Sequence, residues 1–445
     1  MPRLLLMAAL GTVLAGCRSP VVGPAATEPP LQVSSSAQLV AALHPGSAGR
    51  RIRILRGEYD VDRPLVVPDG ATLEGEGVMV VGPDGLPAGF TPGTESTLRA
   101  TGAFKGHLLT LGHGSAIRGL RLLDVGNAAP QPALRRGNVV YLASRAPRDV
   151  IAASIDDCEM EADQAIGFSE VGPHGHALVV LTLNPNLAAP PAAHEGARVE
   201  LAVRRSVVRT RVGAAVFANN FAPRGEIRLL LEGNRFEGYL IASGGTTRPE
   251  QVHDSRVVIE SQGNLYRRTG LDRFGWHLVG ASTPPHLQEA PGQGGTRNSL
   301  RMISRDDRIE GFRVGIQASA ARRLGLTSEP LSDNRLEIDL RGSRIMTEGD
   351  AAADLVLRAT VSEIEQEKAP MELAAGDRNV LRLQMSGVTG SDQRRNVFAD
   401  VVGPLEPANF GTGNQLQVVG GSETFRRSNQ SIEPPPGPQH FVGGH

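Results

Sequence analysis

The feature that most constrains the fold is a short polar corner that recurs along the chain. A small polar residue or a cysteine stands at each corner, and an apolar residue follows two positions later every time. The corner residues are Cys158, Ser206, Asn234, Asn264, Asp307, Ser343 and Ser386, and the apolar residues are Met160, Val208, Phe236, Tyr266, Ile309, Ile345 and Val388. Successive corners are 28 to 48 residues apart, which indicates a common coil with inserted loops of different length.

Segments with alternating apolar residues precede the corners, for example residues 198–203, 227–231 and 336–340. A short strand with one apolar face cannot bury that face alone, so successive coils are expected to stack and join their faces into one interior column. Parallel pairing between coils would satisfy the backbone. Asn and Asp suit such a bend because they tolerate left-handed backbone and hydrogen-bond locally. The repeat therefore predicts an all-β fold in which strands wind into a parallel helix.

Composition excludes several classes of protein. With 53 glycines and 31 prolines among 445 residues, a mostly helical chain is not expected. Hydrophobic residues at 40% and charged residues at 21% are typical of a globular protein. A net charge of −1 argues against a nucleic-acid partner held by bulk electrostatics. Aromatic residues are 4% of the chain, so surfaces that stack on bases or sugars must be few.

The N-terminus is typical of an export signal. Arg3 precedes an apolar run from Leu4 to Leu14, which is shorter than the roughly 20 residues needed to span a bilayer. The segment Leu14-Ala-Gly-Cys17 resembles the lipobox of bacterial lipoproteins. That resemblance implies cleavage before Cys17 and a lipid on its sulfur. An ordinary secretory signal followed by a chance cysteine is the alternative.

These features predict the ends of the chain. Residues 1–16 would be the signal peptide and 17–33 a Pro/Ala-rich tether. Because Arg18 rather than an aspartate follows the cysteine, the lipoprotein resemblance favours the outer membrane of the cell envelope. Residues 36–44 have helical spacing with a serine N-cap and a proline stop. The Pro/Gly-rich residues 426–445 are expected to be disordered.

The body of the chain resembles a known superfamily. Residues 52–77, with Ile52-Arg-Ile-Leu, Gly57-Glu-Tyr59 and Pro64-Leu-Val-Val-Pro, are similar to the first coils of the pectate-lyase-like right-handed parallel β-helices. The resemblance implies a single-stranded right-handed parallel β-helix over residues 34–425, with an N-terminal capping helix and long inserted loops. This superfamily includes lyases, hydrolases, epimerases, adhesins and non-catalytic proteins, so the fold does not fix the function.

In active members of that superfamily the substrate lies along the first sheet. The resemblance places this sheet at residues 166–170, 216–220, 239–243, 276–279, 315–318 and 355–358. Polar residues on or just past these strands are Ser169, Glu170, Asn219, Asn220, Ser243, His277, Gln317 and Arg358. They could bind a chain-like ligand, and the alternative is a solvated sheet face.

The segment 266–277 is the strongest candidate for a ligand site. It holds Trp276, the only tryptophan, together with Arg267, Arg268, Arg273 and His277. An aromatic face can stack on a sugar ring while arginines pair with uronate carboxylates. The alternative is a loop that packs its own aromatic residues onto the coil.

A metal site and a catalytic centre are less clearly indicated. Asp156, Asp157 and Glu159 could contribute to a calcium site, although alternation along a strand turns their side chains in different directions. No catalytic residue can be assigned. The sequence predicts a cell-envelope lipoprotein that binds polysaccharide, with lyase-type β-elimination on acidic sugars left open. The alternative is a non-catalytic spacer or platform for protein partners.

Overall fold

Three long parallel sheets, here named A, B and C, wind around one interior in the computed structural model. The structure describes residues 28–102, 104, 106–125, 137–163, 167–169, 172–183, 194–247, 252–270, 273–283, 294–323, 330–350, 352–362, 376–391, 396–402 and 412–420. Along most of the chain the strands enter sheets A, B and C in turn, and each strand pairs in parallel with its counterpart in the next coil. The predicted parallel β-helix is therefore confirmed, and its right-handed sense agrees with the rule for parallel crossovers.

Sheet A has the longest regular run of strands. Within the described residues it comprises Leu31–Val33, Arg51–Ile54, Thr72–Glu74, Ser115–Arg118, Val150–Asp156, Arg198–Arg204, Glu226–Glu232, Arg256–Gln262, Ser299–Arg305, Arg335–Arg341, Val380–Ser386 and Gln415–Gly420. Its side chains alternate between the interior and solvent, as period-two strands require. The sheet begins at Leu31, three residues before the predicted start of the β-helix.

Sheets B and C complete each coil. Sheet B comprises Gly57–Val61, Ser96–Ala100, Leu120–Asp124, Glu159–Ala162, Val207–Thr210, Arg235–Glu237, Leu265–Arg267, Arg308–Glu310 and Arg344–Met346. Sheet C comprises Leu65–Val67, Leu109–Leu111, Val140–Ala143, Leu178–Leu181, Val216–Asn219, Leu240–Ser243, Phe274–Thr283, Val314–Arg323, Ala353–Ser362 and Val397–Val402. Sheet C corresponds to the first sheet of the predicted fold.

Short elements lie outside the three sheets. The helix Ser36–Ala42 is capped by Ser35, whose Oγ accepts a hydrogen bond from Gln38 N at 3.2 Å. Leu39 and Ala42 are buried against the first coils, as a capping helix requires. A 3-10 turn follows at Pro45–Ser47. None of the helices in the described part of the chain is long and apolar enough to cross a membrane.

Two antiparallel hairpins interrupt the coil pattern. Met79–Val81 pairs with Pro87–Phe90, and Gly167–Ser169 pairs with Gly172–His174. The second hairpin corrects one prediction, because residues 166–170 were expected to contribute a strand to the first sheet. The apolar strand Leu178–Leu181 takes that place in sheet C.

The predicted corner between sheets A and B is a buried hydrogen-bonded ladder. The backbone N–H of Cys158 donates to Ser206 Oγ at 3.1 Å, and that of Ser206 donates to Asn234 Oδ1 at 2.9 Å. Asn234 N and Asn264 N donate in the same way, each at 2.8 Å, to Asn264 Oδ1 and Asp307 Oδ1. Each corner side chain thus satisfies the backbone of the coil before it, which fixes the register of the stack.

A second ladder runs along the corner between sheets C and A. The N–H groups of Ser255, Asn298, Asn334 and Asn379 donate to the Oδ1 of the next asparagine at 3.0 to 3.1 Å. It ends at Asn414, the acceptor for Asn379. The residues of this ladder are not among the predicted corners, although they use the same side-chain chemistry as the first ladder.

Candidate functional site

A cluster of cationic and polar side chains lies on the outer face of sheet C. We call His277, Gln317, Arg322 and Arg358 the sheet C cluster. The parallel register places His277 beside Gln317 and Arg358 beside Ser319. Arg322 Nη1 lies 2.7 Å from His277 Nε2. The exposed fraction is 4% for His277, Arg322 and Arg358 and 9% for Gln317, so the cluster is held in a desolvated environment.

The Arg322 contact determines the protonation state of His277. A guanidinium can only donate hydrogen bonds, so His277 Nε2 must present its lone pair and the ring is neutral. Burial first, and then the nearby charges of Arg322 and Arg358, hold the pKa of His277 well below its ordinary value. The imidazole therefore acts as an acceptor that orients the Arg322 side chain.

A neutral polar group lies beside the sheet C cluster on the preceding coils. The Thr246 hydroxyl is 2.5 Å from Asn219 Oδ1, 2.9 Å from Ser282 Oγ and 3.1 Å from Ser243 Oγ. Ser282 is in register with Arg322. The outer face of sheet C thus changes from hydroxyl and amide groups to guanidinium groups along the stack.

The three predicted arginines lie where sheet B passes into sheet C. Arg267 is exposed and forms an ion pair with Glu310 at 3.0 Å. Arg268 is exposed, and its Nε donates to Gly270 O at 3.1 Å. Burial and the neighbouring charge of Arg313 lower the pKa of Arg273. Arg273 immediately precedes the strand that carries His277, so this corner leads into the sheet C cluster.

Trp276 does not have the place that the stacking hypothesis requires. It is fully buried in the interior column and packs edge-on against Tyr266, with ring centroids 5.3 Å apart. Side chains alternate along a strand, so the position that turns His277 outward turns Trp276 inward. The tryptophan supports the core, and its face is not available to a sugar.

The remaining predicted ligand residues differ in how far the structure describes them. Asn219 lies on sheet C at the neutral polar group, and Gln317 belongs to the sheet C cluster. Glu170 lies outside the described residues. Arg322 and its neighbour Arg323 were not predicted. They end a ten-residue strand, Val314–Arg323, which runs beyond the stretch 315–318 expected from the sequence.

The carboxylates considered for calcium face arginines instead of one another. Both Asp157 oxygens accept hydrogen bonds from Arg205 at 2.8 Å. Glu159 lies on sheet B, where it pairs with Arg209. Asp156 lies at the end of a sheet A strand, 3.6 Å from Arg204. Among the described residues there is no group of three or more His, Cys, Asp or Glu side chains arranged to hold a metal ion.

A serine–histidine pair elsewhere has hydrogen bonds that do not suit a nucleophile. Ser144 Oγ lies 3.0 Å from His194 Nδ1, and the same hydroxyl donates to the carbonyl of Thr182. Since a serine has one hydroxyl proton, His194 Nδ1 must be the donor towards Ser144. A general base would have to accept the proton of the serine hydroxyl. We therefore assign the Ser144–His194 pair a structural role.

Charge is distributed differently on sheet C than on the other two sheets. The ten described strands of sheet C carry Arg322, Arg323 and Arg358 but only two carboxylates, Asp354 and Asp400. The Asp354 carboxylate accepts hydrogen bonds from Thr347 Oγ1 and from Ser391 N and Oγ, between 2.8 and 2.9 Å. By contrast, sheets A and B place arginines next to carboxylates on neighbouring strands, for example Arg198 with Glu226 and Arg267 with Glu310.

The fold and this site define a parallel β-helix with a cationic region on one sheet. No family model and no curated protein matches the sequence. Among solved structures, the A-module of a mannuronan C-5 epimerase from Azotobacter vinelandii is similar, with a TM-score of 0.39 and 12% identity, over 88% of this chain and 94% of that chain. A polygalacturonase from Erwinia carotovora ssp. carotovora is similar with a TM-score of 0.37 and 10% identity, over 84% and 97%. At these values the similarities carry no conclusion about activity or substrate.

Proposed function

We propose that this protein binds an acidic polysaccharide along the outer face of sheet C. The observation that supports the proposal is the charge distribution. Arg268 and Arg273 lie at the corner that leads into sheet C, where Arg268 is exposed, and the described strands of this sheet carry three more arginines, whereas the arginines Arg198 and Arg267 of sheets A and B pair with carboxylates. Guanidinium groups pair with carboxylates through two parallel hydrogen bonds, and uronate sugars supply that group at every residue.

The spacing of the stack suits an extended ligand. Neighbouring strands of a sheet are about 4.8 Å apart, so a polymer lying along the stack would meet a new strand at each short step. Exposed Arg268 and the neighbouring Arg273 would pair with uronate carboxylates at the corner that leads into sheet C. The Asn219–Ser243–Thr246–Ser282 group would take sugar hydroxyls.

The location of the protein is part of the same proposal. A lipid on Cys17 would hold the chain at the cell envelope, with the outer membrane favoured by the residue that follows the cysteine. Residues 1–27 lie outside the described residues, so this part is supported by the sequence pattern alone. We assign no catalytic residue, and lyase-type β-elimination is an outcome that the experiment below can detect.

The test is calorimetric titration of the purified protein with oligogalacturonate and oligomannuronate at low and high salt. The double variant Arg268→Ala/Arg273→Ala should weaken binding at least tenfold, because each lost charge-assisted hydrogen bond contributes about 1.5–3 kcal/mol. The matched control is Arg305→Ala/Arg382→Ala, which removes two arginines from sheet A and should change the affinity less than twofold.

Two outcomes would contradict the proposal. One is no binding of any acidic oligosaccharide by the unmodified protein, which would favour a spacer or a platform for protein partners. The other is an equal loss in the control variant, which would indicate a non-specific charge effect. Absorbance of unsaturated products, followed with and without calcium, separates a lyase from a protein that only binds.

A further inference from the structure

The hairpin of residues 78–91, which we call the strap, extends from the coil stack between a sheet A strand and a sheet B strand. Its strands Met79–Val81 and Pro87–Phe90 pair in antiparallel fashion. The base of the hairpin is closed by Thr91 N donating to Val78 O at 2.9 Å, and the tip by Gly82 N donating to Leu86 O at 2.7 Å. The strap is therefore an ordered element with its own hydrogen bonds.

The strap lies across sheet B and contacts strands far from its own position in the chain. Phe90 N donates to Glu159 Oε2 at 3.3 Å, and Arg209 Nη2 donates to Ala88 O at 3.2 Å. Arg235 Nε donates to Pro87 O at 2.8 Å. These partners lie on successive strands of sheet B, so the strap runs along the axis of the stack.

Asp84 at the tip of the strap forms the far anchor. Its carboxylate accepts two hydrogen bonds from Arg235 Nη2, at 2.9 and 2.8 Å, and one from Arg308 at 3.4 Å. From the strand of Glu159 to that of Arg308 there are five neighbouring strands, a distance of about 19 Å at the usual strand spacing. The strap thus connects coils that do not touch each other directly.

Few apolar contacts support this arrangement. Leu86 is buried at 7% exposure. On the outward side, Val78, Val80 and Val81 are 57%, 42% and 66% exposed. Most of the identified contacts between the strap and sheet B involve a charged side chain, and partly exposed charge pairs weaken as salt increases. The side chains of Asp84 and Arg308 are 21% and 32% exposed, and that of Arg235, the nearer partner, is 11% exposed.

We propose that the strap is a releasable ionic clamp. With its anchors formed, it connects four strands of sheet B that span five neighbouring positions in the sheet. When the Asp84 charge is removed or screened, the strap leaves sheet B while the coil stack stays folded. In such a stack each coil otherwise contacts only its neighbours. The contact between the strap and sheet B therefore makes the coupling of distant coils depend on ionic strength.

The test is amide hydrogen exchange of the whole chain, read by mass spectrometry for peptides that cover residues 78–91. In Asp84→Asn these amides should exchange about tenfold faster than in the unmodified protein, since a charged hydrogen-bond network is lost. Arg308→Gln should have a smaller effect in the same direction, about two- to threefold. About 1 M salt should accelerate exchange of the unmodified strap more than that of Asp84→Asn, in which the Asp84 pairs are already lost while the contacts of Glu159 and Arg209 with the strap remain.

The control is Asp62→Asn, which removes a carboxylate that is 68% exposed and paired with its sequence neighbour Arg63. It should leave exchange of the strap unchanged. Equal exchange in Asp84→Asn and the unmodified protein would overturn the proposal, because the strap would then be held by Leu86 and its backbone. Faster exchange across sheets A and C would also overturn it, because Asp84 would then support the whole stack.

Discussion

At the scale of single residues, His277 links the cationic surface to the stability of the fold. Burial first, and then the nearby charges of Arg322 and Arg358, penalise a proton on its ring, which accepts a hydrogen bond from Arg322. The folded state therefore holds the pKa of His277 below the unfolded value of about 6.5. Below that pH the unfolded chain binds a proton at His277 and the folded chain does not. The free energy of unfolding therefore falls as the pH is lowered.

We predict that His277→Gln reduces this loss of stability in acid. Because the folded state disfavours a proton that the unfolded chain binds, the unfolding free energies at pH 7 and pH 5 should differ less in the variant than in the unmodified protein. Urea unfolding at the two pH values measures the difference. His44→Gln, at an exposed histidine beside the capping helix, is the control, and an equal change there would refute the assignment.

Left-handed backbone positions show a second pattern at this scale. Apart from glycine, the described residues with positive φ are all arginine or aspartate: Arg148, Asp157, Arg205, Arg224, Asp254, Arg297, Asp306, Asp333 and Arg378. Several pair across neighbouring coils, as Asp157 does with Arg205. Left-handed backbone costs an L-residue about 1–2 kcal/mol, so the backbone strain and the ion pair act in opposite directions.

This pattern predicts that Arg205→Gly is more stable than Arg205→Ala by about 1 kcal/mol. Both variants lose the pair with Asp157, but only glycine adopts the φ of 47° without strain. Thermal and urea unfolding of the two variants provide the comparison. If alanine proved equal or better, the local backbone would have to relax away from the left-handed region.

At the scale of elements, the corner ladders fix how one strand meets the next. Asn264 is fully buried. Its Oδ1 accepts from Asn234 N, and its Nδ2 donates to Leu231 O at 2.8 Å. The side chain therefore provides hydrogen-bond partners for two buried backbone groups, the N–H of Asn234 and the carbonyl of Leu231.

We predict that Asn264→Ala destabilises the protein by about 2–4 kcal/mol, because buried unsatisfied groups cost about 1–3 kcal/mol each. Asn264→Asp should cost at least as much as alanine, because it would place a second buried carboxylate beside Asp307 and an acceptor against Leu231 O. Gln262→Ala, at an exposed site on the preceding strand, should stay within about 0.5 kcal/mol. A loss in Asn264→Ala no larger than in Gln262→Ala would show that the ladder is not a source of stability.

The elements also show which parts of the fold could be predicted from sequence. The first ladder was found because each corner residue is followed two positions later by an interior residue. The second ladder obeys the same rule, with Asn298, Asn334, Asn379 and Asn414 each two residues before a leucine, and recognising it would have located the other corner. The strand expected at residues 166–170 failed because the local pattern cannot separate a hairpin from a strand of the stack.

The site was harder to predict than the fold for a physical reason. Which side of a strand faces outward depends on its register, so His277 and Trp276 were proposed together although they point in opposite directions. Arg322 reaches His277 from the next coil, 45 residues away, and no local pattern reports a contact of that separation.

At the scale of the whole molecule, charge is sorted by sheet. The interior column is apolar from the capping helix through the last described coils. Sheets A and B carry paired charges, while the three arginines on the described strands of sheet C lie on two adjacent strands, Val314–Arg323 and Ala353–Ser362. The arginines of sheet C are thus concentrated in one part of the stack, although the whole chain has a net charge of −1. The net charge of the whole chain therefore does not describe the local electrostatic field that a ligand would meet.

The twelve strands of sheet A found in the described part of the chain also set the length of the molecule along the stack. Eleven spacings of about 4.8 Å give the stack an axial length of about 53 Å, and that length can change only by whole strands. Residues inserted between strands enlarge the loops at the side of the stack and leave the spacing between coils unchanged. This explains how corners 28 to 48 residues apart share one interior column. Gain or loss of one coil would lengthen or shorten the stack by one strand spacing and leave the spacing of the other coils unchanged.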